Sequence, residues 1–323
     1  MAEPVPRAPE PISAGSLLVR LPNWVGDVVI ALVILDELER AGFEVSLAGR
    51  SWCDDLLAAY PAPRLVVTRD HLSAARRLRT LGTRQGMLLT RSFGSALEMR
   101  LAGVRAVGYR SQGRSPLLYR TLRRQPGDHL VEYYWRIGRL ACTTFGGDPS
   151  AFTHPPGRPV LRLTAEHRAA AEAALEAAGL QPPYQVWSPL ATNTIHGRSK
   201  VWPCFRELSA RIDGSVPPVV CCPGPGQDGE VREAVPSARI LPGLGLGAMA
   251  AVMERAALVL ANDTGPMHVA AGVGAPVLGL FGPGNTPQRS GPLGGRTMGG
   301  GDRWPTPDEV ESALRSMLAR VAR

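Results

Sequence analysis

The feature of this sequence that most constrains its fold is a repeated alternation of short apolar runs with segments of helical periodicity. Residues 17–21 are apolar, residues 22–27 are loop-like, and residues 28–40 carry apolar side chains at helical spacing. The alternation recurs through both halves of the chain, as far as the apolar run at residues 276–280. Strands that alternate with helices form parallel sheets with crossover helices. The sequence therefore predicts an α/β fold.

A segment rich in Gly and Pro divides this pattern near the middle of the chain. Residues 146–159 read GGDPSAFTHPPGRP, a composition that the interior of a helix or strand does not tolerate. A chain of 323 residues also exceeds the roughly 250 residues at which single cores stop growing. We therefore expect two Rossmann-like domains that face each other across a cleft. The expected boundaries are a flexible tail at residues 1–15, a first domain at 16–148, a linker at 149–160, a second domain at 161–305, and a C-terminal helix at 306–323 that packs back on the first domain.

The charge of the chain favours anionic partners. The formal net charge is +8 and the pI is near 9.8. The positive charge is spread along the chain, and aromatic residues make up only 6% of it, too few for stacking platforms that bind single-stranded nucleic acid. We expect small anionic substrates and no nucleic acid.

The sequence shows no pattern typical of export or of a membrane span. The longest apolar stretches, residues 28–35 and 269–280, are too short or too interrupted by Gly and Pro to cross a bilayer. The five Cys residues are odd in number and contain no Cys-x-x-Cys pair, so neither a disulfide framework nor a zinc site is indicated. We expect a cytoplasmic protein in a reducing compartment, with peripheral contact at the inner face of the cytoplasmic membrane as a further expectation.

The first candidate site is the loop at residues 22–27, between the first predicted strand and the first predicted helix. Ligands of open α/β sheets bind beside loops that follow the carboxyl ends of strands. Gly26 lets the backbone approach a ligand, and Asn23 and Trp24 lie beside it. Asp27 has two interpretations: it caps the helix, since Asp is a preferred capping residue, or it is a general base that takes a proton from an attacking hydroxyl.

The second candidate site is the segment ANDTGPMH at residues 261–268, again a strand that leads through a turn into a helix. Asp263 or Thr264 suits a cap, and the exposed N–H groups after Gly265 suit an anion such as a diphosphate. His268, in the first turn of that helix, should face the same cleft. A structural hydrogen bond is the alternative role for this histidine.

The third candidate is Lys200, the single lysine among the 36 basic Lys and Arg residues. It lies in the polar loop TNTIHGRSKVWP at residues 192–203, on the ligand side of the second sheet. A compact ammonium suits a point contact with a diphosphate, where it offsets charge on a leaving group. Chance survival of one lysine in an arginine-rich composition is the other explanation.

A fourth signal is the segment GPGQDG at residues 224–229, which has the spacing of a dinucleotide fingerprint. The next predicted strand ends without an acidic residue to hold a ribose hydroxyl, so the fingerprint is incomplete. Glu230, just beyond it, is either a contact to the nucleoside or an exposed acid at a helix start.

Sequence motifs for a phosphate loop, a nucleophile elbow and a zinc protease are absent, as is an Asp-x-Asp metal motif. We expect neither a metal nor a cofactor.

Three segments together resemble the ADP-heptose:lipopolysaccharide heptosyltransferases of glycosyltransferase family 9. They are LVRLPNWVGDVVIAL at residues 18–32, SKVWP at 199–203 and ANDTGPMHVAAGVGAPVLGLFGP at 261–283. The resemblance runs from about residue 17 to residue 294, and the segments RSFGSA and VGYR look more like heptosyltransferase II than heptosyltransferase I. The chain departs from the family's common Lys-Arg-Trp-Pro or Lys-His-Trp-Pro, since Val201 follows Lys200 here.

The resemblance implies a GT-B fold in which the first domain binds the acceptor and the second binds the nucleotide-sugar. It implies inverting, metal-independent transfer of heptose from ADP-heptose to an anionic glycolipid or glycan. Asp27 matches the general base of the family and Lys200 the lysine that contacts the donor phosphates. Asp263, Thr264, Gly265 and His268 fall in the donor-binding motif.

Other functions remain open at this point. The acceptor of the transfer is lipopolysaccharide core, another glycolipid or glycan, or a small metabolite. A nicotinamide-dependent oxidoreductase would use the glycine-rich segment at residues 224–229. A third possibility is a protein that has this fold and binds a sugar-nucleotide or polymer but catalyses no reaction.

Overall fold

The computed structural model describes residues 14–192, 194–195 and 197–321. Its first half contains one sheet of six parallel strands in the order β3-β2-β1-β4-β5-β6. The strands are β1 (Gly15–Arg20), β2 (Phe43–Gly49), β3 (Arg64–Val66), β4 (Gln85–Leu88), β5 (Arg105–Tyr109) and β6 (Arg120–Leu122).

Helices cover both faces of this first sheet, because right-handed crossovers that run in opposite directions from β1 place their helices on opposite faces. They are α1 (Val25–Ala31), α2 (Leu35–Arg40), α3 (Trp52–Leu56), α4 (His71–Arg79), α5 (Phe93–Leu101) and α6 (Leu130–Phe145), with 3-10 turns at Leu32–Ile34, Ser115–Leu117 and Pro149–Phe152.

The second half repeats the arrangement with a second sheet of six parallel strands. Its strand order is β11-β10-β7-β12-β13-β14, and a separate antiparallel hairpin is formed by β8 and β9. The strands are β7 (Gln185–Ser188), β8 (Thr194–Ile195), β9 (Arg198–Ser199), β10 (Val219–Cys221), β11 (Arg239–Ile240), β12 (Leu258–Asn262), β13 (Val277–Phe281) and β14 (Arg296–Gly299). The helices are α7 (Ala165–Ala177), α8 (Phe205–Arg211), α9 (Asp228–Ala234), α10 (Leu246–Glu254), α11 (Gly265–Gly272), α12 (Pro287–Ser290) and α13 (Pro307–Val321).

Both sheets reverse their winding direction at one point, which decides where a ligand binds. In the first sheet β2 and β3 extend the sheet to one side of β1, and β4 then pairs with the opposite edge of β1. In the second sheet β10 and β11 lie on one side of β7, and β12 pairs with its opposite edge. Loops that follow two such strands diverge and leave a crevice at the carboxyl edge of the sheet. The expected pair of Rossmann-like domains is confirmed, and each domain contributes one crevice.

The inner faces of the two domains share one hydrophobic cluster. It joins β1, α1 and α6 of the first domain to α7, α10 and α11 of the second. The contact between α1 and α11 is close because small residues lie there: a Cβ added at Gly26 would lie 2.7 Å from Cδ2 of His268, and one added at Gly272 would lie 2.8 Å from Cγ1 of Val29. The starts of these two helices are thereby held side by side.

The C-terminal helix packs on the second domain, so the expectation that it packs back on the first is wrong. Val310 and Leu314 of α13 are fully buried in the same cluster as Trp202 and Phe205. Arg211 of α8 pairs with Glu311 at 3.6 Å. The apolar face of α13 packs against the second sheet beside α8.

Several local boundaries differ from the sequence prediction. The first helix begins at Val25, three residues earlier than its apolar periodicity suggests, and a 3-10 turn separates α1 from α2. Strand β1 begins at Gly15, inside the predicted tail, whose residues 1–13 lie outside the described residues. Residues 149–152 of the predicted linker pack on the first domain, where Phe152 lies 4.9 Å from Trp135 between ring centroids. The exact domain boundaries remain a prediction.

Candidate active site

A cleft of about 770 Å³ lies between the two domains, at the carboxyl edges of both sheets. Its walls are the loops that follow β1 and β4 in the first domain and β7 and β12 in the second. Both crevices predicted by the sheet topology therefore open into one space. A volume of this size accommodates a nucleotide-sized ligand.

Asp27 lies in the first turn of α1 and lines the cleft. The capping interpretation does not fit the structure, because Trp24 occupies the N-cap position and, in the described chain, α1 has no side-chain cap. The carboxylate instead accepts a hydrogen bond from the Tyr134 hydroxyl, with 3.3 Å between that oxygen and Oδ1. Asp27 is therefore available as a proton acceptor.

The surroundings of Asp27 tune its proton affinity. Burial raises the pKa of the Asp27 carboxyl above its ordinary value; the hydrogen bond from Tyr134 and the positive charges of Arg91 and Lys200 act in the opposite direction. Burial likewise raises the pKa of Tyr134, so its hydroxyl stays protonated and remains a donor. A carboxylate with a raised pKa is a better general base than an exposed one.

The start of α11 forms the opposite wall. Thr264 is its N-cap residue, but its hydroxyl donates to the carbonyl of Asn262 at 3.3 Å, and in the part of the chain described here no side chain caps this helix. Pro266, in the first turn, has no N–H of its own to satisfy. The remaining amides of the first turn and the positive end of the helix dipole therefore face the cleft, which suits an anion.

Lys200 reaches this wall from the loop after β9. Its Nζ lies 2.6 Å from Oδ2 of Asp263, and both side chains line the cleft. Asp263 is also held by the side-chain amide of Asn285. Because an ammonium has three donors, Lys200 keeps N–H groups for an anion while Asp263 fixes its position.

His268 is a neutral member of the same wall. Burial lowers its pKa to about 4, with Asp263 acting in the opposite direction. Its Nε2 lies 4.0 Å from Oδ1 of Asp263. A neutral imidazole at this position is a hydrogen-bonding group and adds no charge to the cleft.

The buried side chain of Asn262, the last residue of β12, anchors the loop that carries Lys200. Its Oδ1 accepts from the backbone N–H of Trp202 at 2.9 Å, and its Nδ2 donates to the carbonyl of Pro189 at 2.7 Å. The indole of Trp202 donates in turn to the carbonyl of Pro305. Lys200 thus stands two residues before a residue that is fixed on two sides.

The remaining predicted residues divide between the cleft and the surface. Asn23, Trp24 and Gly26 all line the cleft, next to Asp27. Glu230 is exposed and is not part of the cleft wall; Gln227, three residues earlier, lines it instead. The side chain of Gln227 accepts from the N–H of Gly224 at 3.1 Å.

The far end of the cleft is apolar. Its walls come from the ends of β7 and β10 and the start of α10, and they include Cys222, Pro223, Leu246 and Met249. Such a wall suits the flat face of a nucleobase.

The glycine-rich segment at residues 224–229 follows β10. A dinucleotide fingerprint would follow β7, the first strand of the domain, so the segment does not have the position of such a fingerprint. The oxidoreductase alternative loses its support.

Sequence reasoning overlooked several cleft residues that come from distant parts of the chain. Tyr133, Tyr134, Arg124, Arg289 and Asn285 lie in segments that carry no recognisable motif. Arg91 begins the segment RSFGSA, but the resemblance of that segment gives this arginine no role. Tyr134, for instance, follows Asp27 by 107 residues. Only the position of α6 beside α1 brings them together.

Two further observations concern the described residues as a whole. Among them, no group of three His, Cys, Asp or Glu side chains has the arrangement of a metal site. Nor does any helix in the described ranges have the length and hydropathy needed to span a membrane.

Comparison with known proteins shows which family has this arrangement. The profile of glycosyltransferase family 9 (heptosyltransferase) matches residues 71–316. No curated protein sequence gives a match.

Solved structures with the same fold span nearly the whole chain. The E. coli ADP-heptose lps heptosyltransferase II is 22% identical, with a TM-score of 0.78, and the match covers 95% of this chain and 100% of that one. A glycosyl transferase family 9 protein from Veillonella parvula is 18% identical (TM-score 0.79; coverage 96% and 98%). The E. coli heptosyltransferase WaaC with ADP is 18% identical (TM-score 0.70; coverage 95% and 99%). The fold is thus GT-B, and this chain belongs to glycosyltransferase family 9, the heptosyltransferases.

Proposed function

We propose that this glycosyltransferase carries out inverting, metal-independent transfer of heptose from ADP-heptose to a hydroxyl of lipopolysaccharide core or of another anionic glycolipid or glycan. The observation that carries the proposal is the position of Asp27 and Lys200 on opposite domains of one cleft. In this assignment the first domain holds the acceptor beside Asn23, Trp24 and Gly26. The second domain holds the donor beside Lys200 and the start of α11.

Asp27 is the general base of the proposed reaction. Its carboxylate takes the proton of the acceptor hydroxyl while the hydroxyl oxygen forms a bond to the anomeric carbon of the donor sugar. The bond from that carbon to the diphosphate oxygen breaks, and its electron pair leaves with ADP. Attack from the face opposite the diphosphate inverts the configuration, in agreement with a base and a leaving-group site on facing walls.

The leaving ADP gains negative charge, which the second domain is arranged to stabilise. The ammonium of Lys200 and the uncapped first turn of α11 are fixed before reaction, so little reorganisation is needed. Asp263 holds Lys200, and Thr264, Gly265 and His268 complete the diphosphate site. Lys200 and the positive end of the α11 dipole supply the positive charge that a metal ion provides in other sugar transferases.

Exposed apolar side chains on the first domain, one of them the cleft residue Trp24, support a lipid-linked acceptor. Trp24 is 57% exposed, and Leu72 and Phe93 are exposed at the neighbouring starts of α4 and α5. Exposed aromatic and aliphatic side chains on a basic protein suit a membrane surface. We infer peripheral contact at the inner face of the cytoplasmic membrane.

Sedimentation with phosphatidylglycerol vesicles tests this membrane contact. The double variant Leu72→Ser with Phe93→Ser should bind the vesicles more weakly than the wild type, and equal binding would contradict the contact.

Calorimetric titration of ADP, UDP, GDP and CDP tests the donor site. We expect ADP to bind selectively to the wild type and roughly tenfold or more weakly to Lys200→Ala, because a charge-assisted contact to phosphate is lost. Arg206→Ala, an exposed change on α8 away from the cleft, is the matched control. Absence of any nucleotide preference would refute the proposed donor.

The single lysine offers an independent test. An amine-reactive reagent modifies only Lys200 and the terminal amine, and peptide mapping separates the two. ADP should protect Lys200 from modification if the diphosphate binds there. Equal labelling with and without saturating ADP would remove Lys200 from the donor site.

A further inference from the structure

Three arginines line the cleft and, within the described chain, form no salt bridge. They are Arg91 after β4, Arg124 after β6 and Arg289 on α12. Within the described ranges none of them has a carboxylate within 4.0 Å. Surface arginines commonly find an acid or remain scattered, whereas these three converge from both domains on one space.

Arg91 and Arg124 lie close enough to Arg289 to influence it. The positive charges of Arg124 and Arg91 contribute, after burial, to a lowered pKa of Arg289. The loops that carry Arg124 and Arg289 also touch, since Nε2 of His129 lies 3.1 Å from the carbonyl oxygen of Gly291. Asp263 and Asp27 act on Arg289 in the opposite direction, but within the described chain neither carboxylate lies within 4.0 Å of these guanidinium groups. Like charges this close repel one another, and an anionic ligand would relieve the repulsion.

A buried hydroxyl on the same wall has no partner. Tyr133 is 5% exposed, lines the cleft, and its hydroxyl makes no hydrogen bond in the described structure. Its ring is fixed by stacking on Tyr109 at 3.9 Å between centroids. Because a buried polar atom without a partner is costly, it marks a position where a ligand completes the site.

A further positive charge lies behind Arg91. Arg114 is fully buried; it donates to the carbonyl oxygens of Tyr109 and Ser92, and its Nη2 has no partner among the described residues. No carboxylate of the described chain lies within 4.0 Å of it. Ser92 also caps α5 through the N–H of Ser95, which fixes the backbone next to Arg91. The positive potential of this wall is therefore built into the fold.

We propose that Arg91, Arg124 and Arg289 jointly bind one acidic group of the acceptor, a carboxylate or a phosphate, close to the hydroxyl that is glycosylated. Tyr133 donates to the same group, and Tyr134, the next residue, holds the base Asp27. Since Arg289 belongs to the second domain, the acidic group bridges the cleft. This assignment rests on the proposed function, in which the acceptor lies on the Asp27 side.

The site is tested with small sugars while ADP saturates the donor site. Glucose 6-phosphate and glucuronic acid are titrated against the wild type by calorimetry, with glucose as the uncharged control. We expect an acidic sugar to bind at least tenfold more tightly than glucose; the phosphate and carboxylate probes show which acid fits. Equal binding of all three would overturn the proposal.

Variants separate this site from the donor site. Arg91→Gln, Arg124→Gln and Arg289→Gln should each weaken binding of the acidic sugar roughly tenfold, since each loses one charge-assisted contact. Their ADP affinity should change less than threefold, and Arg232→Gln on exposed α9 should change neither. Tenfold weaker ADP binding would assign the arginines to the donor, and unchanged sugar binding in Arg289→Gln would overturn the bridge. Failure of the wild type to bind ADP would count against the proposed function alone.

Discussion

The buried carboxylate of Asp27 is suited to act as a base in the proposed reaction, but its burial lowers the stability of the folded protein. Burial raises its pKa in the folded protein, so the fold disfavours the ionised form. The carboxylate therefore destabilises the fold above that raised pKa. The destabilisation disappears as the pH falls below the ordinary value near 4 of an Asp. Active sites commonly contain groups of this kind.

Replacement of Asp27 by Asn should separate activity from stability. Loss of the base should lower the transfer rate by roughly 10²-fold or more. Removal of a disfavoured charge should leave the melting temperature at pH 8 equal or higher. Initial rates and thermal unfolding of the same preparation measure both. A lower melting temperature together with the lost activity would mean that Asp27 supports the fold.

Tyr134 sets the proton affinity of Asp27. Its hydrogen bond favours the carboxylate form, so Tyr134→Phe should raise the pKa of Asp27 further. Since the base acts only when ionised, the acid limb of the pH profile of kcat/KM should move to higher pH. Tyr184→Phe, which removes a buried hydroxyl bonded to the carbonyl of Val252, is the control. An acid limb at the same pH in Tyr134→Phe would exclude this role.

At the scale of elements, the contact of α1 with α11 sets the width of the cleft. Gly26→Ala should push the two helices apart, because the new Cβ would lie 2.7 Å from the ring of His268. Overpacking of this kind costs about 1–3 kcal/mol of unfolding free energy. Denaturant unfolding and transfer rates should both report a loss. Gly229→Ala is the control, since its Cβ would meet open space.

The end of β12 positions the Lys200 loop through one side chain. Asn262→Ala removes both hydrogen bonds and leaves the N–H of Trp202 without its partner. We expect a loss of roughly 1–3 kcal/mol in unfolding free energy and weaker ADP binding, because Lys200 would lose its fixed position. Calorimetry measures the second effect. Unchanged ADP affinity in a destabilised variant would show that the loop is anchored elsewhere.

Three strands that sequence reasoning overlooked share one property. β5, β6 and β14 are short strands in which Arg or Gly replaces part of the apolar run. Their pairing comes from the neighbouring strand in the sheet, and this long-range contact leaves no periodic signal in the local sequence. The strands next to the switch points are buried on both faces and were therefore easy to predict.

At the scale of the whole molecule, a carboxylate of one domain caps a helix of the other. Oδ2 of Asp55, on α3, accepts from the N–H of Gly247 at 3.1 Å, and Oδ1 lies 3.3 Å from Nε2 of His167. Within the described chain, α10 has no cap from its own N-cap residue, Gly245. The cap is therefore available only while the domains are together.

Loss of this cap should favour an open cleft. Asp55→Ala should lower the unfolding free energy by about 1 kcal/mol, the usual cost of a lost N-cap, and increase the radius of gyration in solution scattering. Asp54→Ala is the matched control, since Asp54 makes only a 3.8 Å contact to Arg64 on the surface. An unchanged radius of gyration in Asp55→Ala would show that other contacts hold the domains together.

The sequence by itself determined the fold class, the order of βα units and the segments that carry Asp27, Lys200 and the start of α11. Local periodicity and short motifs encode these features, because each depends on residues that are neighbours in the chain. Only the tertiary structure decided that Trp24, not Asp27, occupies the N-cap position, that Tyr134 holds Asp27, and that α13 belongs to the second domain. It also decided that three arginines from the two domains line one cleft. These outcomes depend on which helix faces packed together and on which charges remained unpaired. The contact of Tyr134 with Asp27 and the packing of Val310 in one cluster with Trp202 join residues more than a hundred positions apart.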